Sequence, residues 1–132
     1  MFTTLIVEDN APFRYFLTKL LHERFPAMVI AEAEGGEEVR RKLHTLVPDL
    51  IFMDIELSGE NGLELTKQIK MRYPKTIVII LTSYDLPEYR KAAAQYGASY
   101  FLSKGSVSTD EIQKVVKSIV VDQGHEADGP TK

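Results

Sequence analysis

Five times along the 132 residues, a short apolar run rich in β-branched residues gives way to a longer amphipathic stretch. This alternation constrains the fold more than any other feature of the chain. Strands buried on both faces read as nearly continuous apolar runs, and parallel strands need a crossover, usually a helix, between them. The runs predict strands over residues 3–7, 28–33, 50–53, 76–81 and 100–102. The stretches between them predict helices over 12–25, 37–46, 62–73, 87–96 and 109–121. The first of these carries Phe13, Phe16, Leu17, Leu20 and Leu21 at spacings of three and four. The expected architecture is α/β: a five-stranded, doubly wound parallel sheet with five helices, (βα)5.

Local punctuation agrees with this division. Asn10 can cap the first helix, Pro74 stops the third and Gly97 ends the fourth. Ser108 and Glu111 have the spacing of a capping box at the start of the fifth. Residues 1–121 therefore form one expected domain, and the polar segment 122–132, "DQGHEADGPTK", reads as a disordered tail or the start of an interdomain linker. The 16 basic and 19 acidic residues are mixed along the chain, with no basic stripe of the kind that binds nucleic acid. Cysteine is absent, which removes disulfides, thiolate metal sites and cysteine nucleophiles together. No apolar run approaches the roughly 20 residues of a membrane span, and the segment after Met1 lacks a secretory pattern, so a cytoplasmic protein is expected.

Open parallel sheets bind ligands beyond the carboxyl ends of their strands. At those ends the chain places Glu8 and Asp9 after the first strand, Asp54 after the third, Thr82 after the fourth and Lys104 after the fifth. Three carboxylates within about 4 Å repel by roughly 4 kcal/mol per pair at an effective dielectric of 20, so a cation belongs among them. Oxygen ligands without a His or Cys cluster suit Mg²⁺ or Mn²⁺ rather than Zn²⁺. Lys104 adds a fixed cation and Thr82 a hydroxyl, so the rim suits a phosphoryl group on a carboxylate nucleophile, for which Asp54 is the natural choice. Taken singly, each residue has a plainer reading: a helix-flanking acid, a solvated lysine, a strand threonine. The five together, each at the end of a strand on one edge, point to a site.

The set "VEDN", "DIELSGENG", "LTS" and "SK" resembles the receiver domains of two-component response regulators, which share the flavodoxin-like fold, over about residues 1–121. The resemblance implies Asp54 as phosphoacceptor and Glu8, Asp9, Asp54 and the backbone carbonyl of Glu56 as metal ligands, Glu8 mainly through water. It also implies Thr82 and Lys104 as phosphoryl-binding residues, with Thr82 and Phe101 as the switch pair. The implied partners are a sensor histidine kinase, a second copy on phosphorylation, and DNA only through a separate output domain. Enzymatic action would be confined to the domain's own phosphorylation and dephosphorylation. Ser58 and Gly105 stand where the family usually has Pro, so the Lys104–Gly105 peptide is expected to be trans. Phe101 lacks the hydroxyl of the Tyr often found there.

Three alternatives remain beside this one. A stand-alone receiver would act by protein binding or phosphorelay. A phosphatase of the haloacid dehalogenase type needs a second Asp two residues after the nucleophile, where this chain has Glu56. An FMN binder needs a neutral phosphate loop after the first strand, where Glu8 and Asp9 would repel the ligand.

Overall fold

The structure, a computed structural model, describes residues 1–125. The elements run β1 (Thr3–Val7), α1 (Ala11–Arg24), β2 (Val29–Ala33), α2 (Gly36–Lys42), β3 (Leu50–Met53), β4 (Glu56–Leu57) and β5 (Glu60–Asn61). They continue with α3 (Gly62–Arg72), β6 (Ile77–Thr82), α4 (Pro87–Gln95), β7 (Tyr100–Ser103) and α5 (Thr109–Asp122). The main sheet has five strands, all parallel, in the order β2-β1-β3-β6-β7. This is the doubly wound sheet read from the sequence, with the strand order of flavodoxin and its switch point between β1 and β3.

Each face of the sheet has its own core. On one face Leu17, Leu20 and Leu21 of α1 and Ile112, Val116, Ile119 and Val120 of α5 cover Ile6, Phe52, Ile79 and Leu81. On the other, Val39 of α2, Leu63, Leu65 and Ile69 of α3 and Ala93 of α4 cover Leu5, Val7, Ile51, Met53, Val78 and Ile80. Successive strand residues thus point to opposite layers, as the two-residue period requires, and no central strand carries an exposed side chain.

Several boundaries differ from the sequence expectation. Helix α2 ends at Lys42 rather than 46, because His44 and Thr45 bond to carbonyls three residues back and tighten the chain into turns before the buried Pro48. The segment "ELSGEN", to which the sequence assigned no element, is a short antiparallel hairpin, β4–β5, turning at Gly59 with φ +74°. Two-residue strands leave no apolar periodicity to read. Asn10 caps α1, accepting the Phe13 N–H at 2.9 Å. At α5 only half of the capping box is seen, Ser108 Oγ accepting the Glu111 N–H at 3.0 Å.

Helix α5 extends to Asp122, so residue 122 belongs to it rather than to the tail. The helix closes on Gly124, at φ +83°, with bonds from Gly124 N–H to Val121 and from His125 N–H to Val120, the paired bonds of a Schellman cap. The His125 ring then meets Phe2 edge-on at 5.5 Å. Residues 126–132, the rest of the expected tail, lie outside the described residues. No helix among the described residues is long and apolar enough to cross a membrane.

Candidate functional site at the carboxyl edge of the sheet

Strands β1 and β3 are neighbours in register, Val7 beside Met53, so the residues that follow them emerge side by side. Glu8 and Asp54 are both buried, at 3% and 7% exposure, whereas Asp9 is exposed. Carboxylate oxygens of Glu8, Asp9 and Asp54 lie within 4.8 Å of one another. Lys104, arriving from β7, reaches across to them: its Nζ is 2.7 Å from Glu8 Oε1 and 3.2 Å from Asp54 Oδ2. Its backbone N–H donates to the Thr82 carbonyl at 2.8 Å, which extends the β6–β7 pairing up to the rim. Four of the five rim residues expected from the sequence are thereby brought together, and Thr82, fully buried, stands beside them at the end of β6.

The Glu8 carboxyl is pushed above its usual 4.5, first by burial and then by the charge of Asp54, against the lowering pull of its bonds to Lys104 and to the Asn10 N–H. Lys104 thus offsets the charge of the pair in part. Asp54 Oδ1 is buried and accepts no hydrogen bond among the described residues. A bare anionic oxygen in a buried position costs free energy unless something takes its lone pairs. The oxygen-only donor set and this unpartnered atom fit a hard divalent cation, so the cluster can hold a metal ion.

The other expected residues are placed less simply. Glu56 is exposed on β4, and its carboxylate accepts a hydrogen bond from the Tyr84 hydroxyl, which holds that hydroxyl above its usual range. Thr82 Oγ1 accepts the Tyr84 N–H at 3.2 Å. Phe101 is half-buried on β7, under the guanidinium of Arg90 at 4.7 Å from its ring centroid. Arg90 is itself forked onto Asp85 at 2.6 and 3.1 Å. The Lys104–Gly105 peptide is trans, as expected.

Some contributors escaped the sequence reading. Gly62 opens α3 with its N–H on the Ile55 carbonyl at 2.6 Å, and a Cβ there would stand 1.9 Å from the Asp54 carbonyl oxygen. Only glycine lets the helix start lean so closely on the backbone of Asp54. Asn61 caps that helix through Leu63 N–H at 2.7 Å. Ser58 Oγ donates to Asp9 Oδ2 at 2.9 Å, and the Phe13 ring lies against Lys104 Nζ at 4.4 Å. The paired glycines of "SGENG" were the one legible hint, since each marks a turn or a close approach.

Fold and rim together define a flavodoxin-like domain with an acidic, lysine-bearing centre at its switch point. The chain belongs to the response regulator receiver domains, whose family model matches residues 4–117. The transcriptional regulatory protein LnrK of Bacillus subtilis is 35% identical over 119 residues, which cover 90% of this chain and 54% of LnrK. The crystal structure of the response regulator protein TrrA from Thermotoga maritima in complex with Mg²⁺-BeF is similar at 32% identity, covering 90% of this chain and 99% of that one, with a TM-score of 0.78. The signal receiver domain of a DNA-binding response regulator from Colwellia psychrerythraea superposes with a TM-score of 0.87 at 27% identity, covering 92% and 99%. The chain spans about half the length of the first curated relatives it matches.

Proposed function

We propose that this receiver domain accepts a phosphoryl group on Asp54 from a sensor histidine kinase and transmits it as a change in the surface of α4, β7 and α5. The observation that carries the proposal is the unpartnered, buried Oδ1 of Asp54 beside the Lys104 ammonium. With no donor on Oδ1 among the described residues and Lys104 on Oδ2, the Asp54 carboxylate keeps a lone pair open to phosphorus or to the cation. In the transfer an Asp54 oxygen forms the new P–O bond while the P–N bond of a phosphohistidine breaks, and the leaving imidazole keeps the electron pair and gains a proton. Lys104 supplies positive charge next to the incoming oxygens. Glu8, Asp9 and Asp54 would hold Mg²⁺ or Mn²⁺, with the Glu56 carbonyl that the family resemblance implies, and the bound ion would offset the charge on the phosphoryl oxygens. The enzymatic action of the domain is confined to its own phosphorylation and dephosphorylation.

The test is mass spectrometry after incubation with acetyl phosphate. One phosphoryl group is expected per chain with Mg²⁺ present and none in EDTA; equal uptake in both would remove the metal from the mechanism. Similarity to LnrK, a transcriptional regulatory protein, and to the Colwellia DNA-binding response regulator supports a DNA-binding output domain separate from residues 1–125. Cytoplasmic action, and pairing with a second copy on phosphorylation, belong to the same reading.

For the output step, the Thr82 hydroxyl is the movable part. Its oxygen now accepts from Tyr84 N–H, and in the phosphorylated domain the hydroxyl would donate to a phosphoryl oxygen, leaving room for Phe101 to turn inward from beneath Arg90. A phosphoryl group can bias two states only through contacts that differ between them. Thr82→Ala is therefore expected to accept phosphate while losing most of the phosphate-dependent amide shift changes over residues 84–104. Changes as large as in the wild type would show that another group carries the signal.

A further inference from the structure

We propose that Phe13 is a positioning residue: the face of its ring holds the Lys104 ammonium at the Asp54 carboxylate, as a partner that a divalent cation on the acidic rim cannot draw away. The inference rests on the phosphoacceptor reading of the site given above. Lys104 Nζ has three close neighbours, Glu8 Oε1 at 2.7 Å, Asp54 Oδ2 at 3.2 Å and the Phe13 ring centroid at 4.4 Å, and its side chain is only 14% exposed. An ammonium attracted to the negative face of an aromatic ring gains most where water is excluded, and the Lys104 side chain is largely withdrawn from it.

The ring is itself fixed. Phe13 sits in the first turn of α1, with its N–H on the Asn10 cap at 2.9 Å. Its side chain packs against the core on the α1 face and touches the Phe16 ring, centroids 5.6 Å apart. Of the three partners of Lys104, Glu8 and Asp54 are also members of the acidic cluster. Their oxygens are the ones a divalent cation competes for, so each carboxylate that turns toward such a cation loosens the lysine. Lysine is a flexible four-carbon stem with a point charge at its tip. The ring carries no lone pair for a hard cation and keeps its place whichever way Glu8 turns. Leucine at position 13 would preserve the apolar contact with the core and lose the quadrupole.

Two measurements test this. In the metal-free chain, the Lys104 side-chain ε protons should be shifted upfield by the Phe13 ring and return to ordinary positions in Phe13→Leu; unshifted protons in the wild type would overturn the contact itself. In the second, position 13 carries phenylalanines bearing one, two or three ring fluorines, which weaken the quadrupole in steps at almost constant shape. The rate of phosphoryl uptake from acetyl phosphate with Mg²⁺ should fall along the series, to about threefold to tenfold below wild type with three fluorines and in Phe13→Leu. Phe13→Tyr should stay within about twofold, and the melting temperatures of the fluorinated chains should not follow the trend. A flat series with uptake intact sinks the role of Phe13 and leaves Asp54 as phosphoacceptor. Absence of uptake in the wild type sinks the phosphoacceptor reading, and the role of Phe13 falls with it.

Discussion

Asp54→Asn is expected to reduce phosphoryl uptake to background while leaving the fold intact. The amide has nearly the shape of the carboxylate, so the packing of a side chain only 7% exposed is kept. Its oxygen can still face Lys104 where Oδ2 now lies at 3.2 Å, and its nitrogen takes the place of the unpartnered Oδ1. What disappears is the anionic oxygen proposed to attack phosphorus. The substitution also removes the charge that helps to raise the Glu8 carboxyl, so the variant should melt no lower than the wild type by more than a degree or two. Mass spectrometry after acetyl phosphate and Mg²⁺, with a melting curve alongside, checks both halves. Full uptake in a folded Asp54→Asn chain would end the assignment of the nucleophile.

The second large effect is on stability. Lys104→Ala leaves the carboxylates of Glu8 and Asp54, 3% and 7% exposed, facing each other without their shared cation. Removing one partner from a buried ionic group costs about 3–5 kcal/mol, a fall in melting temperature on the order of 10–20 °C for a domain of this size. The pH dependence has a definite sign. Burial already holds Glu8 above 4.5, and the variant loses the lowering contribution of Lys104. A carboxyl raised in the folded state costs nothing below its unfolded value and destabilises as pH rises through its folded value. The gap between variant and wild type should thus be small below about pH 4.5 and widen toward neutrality. Mg²⁺ should raise the melting temperature of the variant more than that of the wild type, since it supplies the missing charge. A variant as stable as the wild type at neutral pH would mean that the two acids are not jointly buried.

The strands and the rim were legible because both follow from alternation. Runs such as "TTLIV" and "IVIILT", buried at every residue after the first, read clearly as strands, and the polar residue that ends each run is then fixed in place by register. Glu8, Asp54 and Thr82 needed only a strand end; Lys104 needed in addition the pairing of β7 with β6. Contacts made by side chains across the rim were not legible. Nothing in the order of residues says that Tyr84 reaches Glu56, that Arg90 covers Phe101, or that Phe13 lies under Lys104, since each depends on where side chains of separate elements turn in the fold. The early end of α2 was missed because "RRKLHTL" continues a helical pattern that tertiary context overrides. The β4–β5 hairpin was missed because two paired residues per strand carry no period at all.

The contact between His125 and Phe2 places the close of α5 at the amino end of β1, whereas Glu8 and Asp9 sit just past its carboxyl end. Five strand residues separate the two, a height of roughly 17 Å. The acidic rim and the Schellman cap therefore stand at opposite ends of the sheet, one at its top and one at its foot. Under the proposed function, a movement of α4 or β7 at the rim is expected to leave that foot in place. Whatever a phosphoryl group changes should be felt by a partner seated on the upper flank, while the orientation of the chain at residue 125 stays as it was.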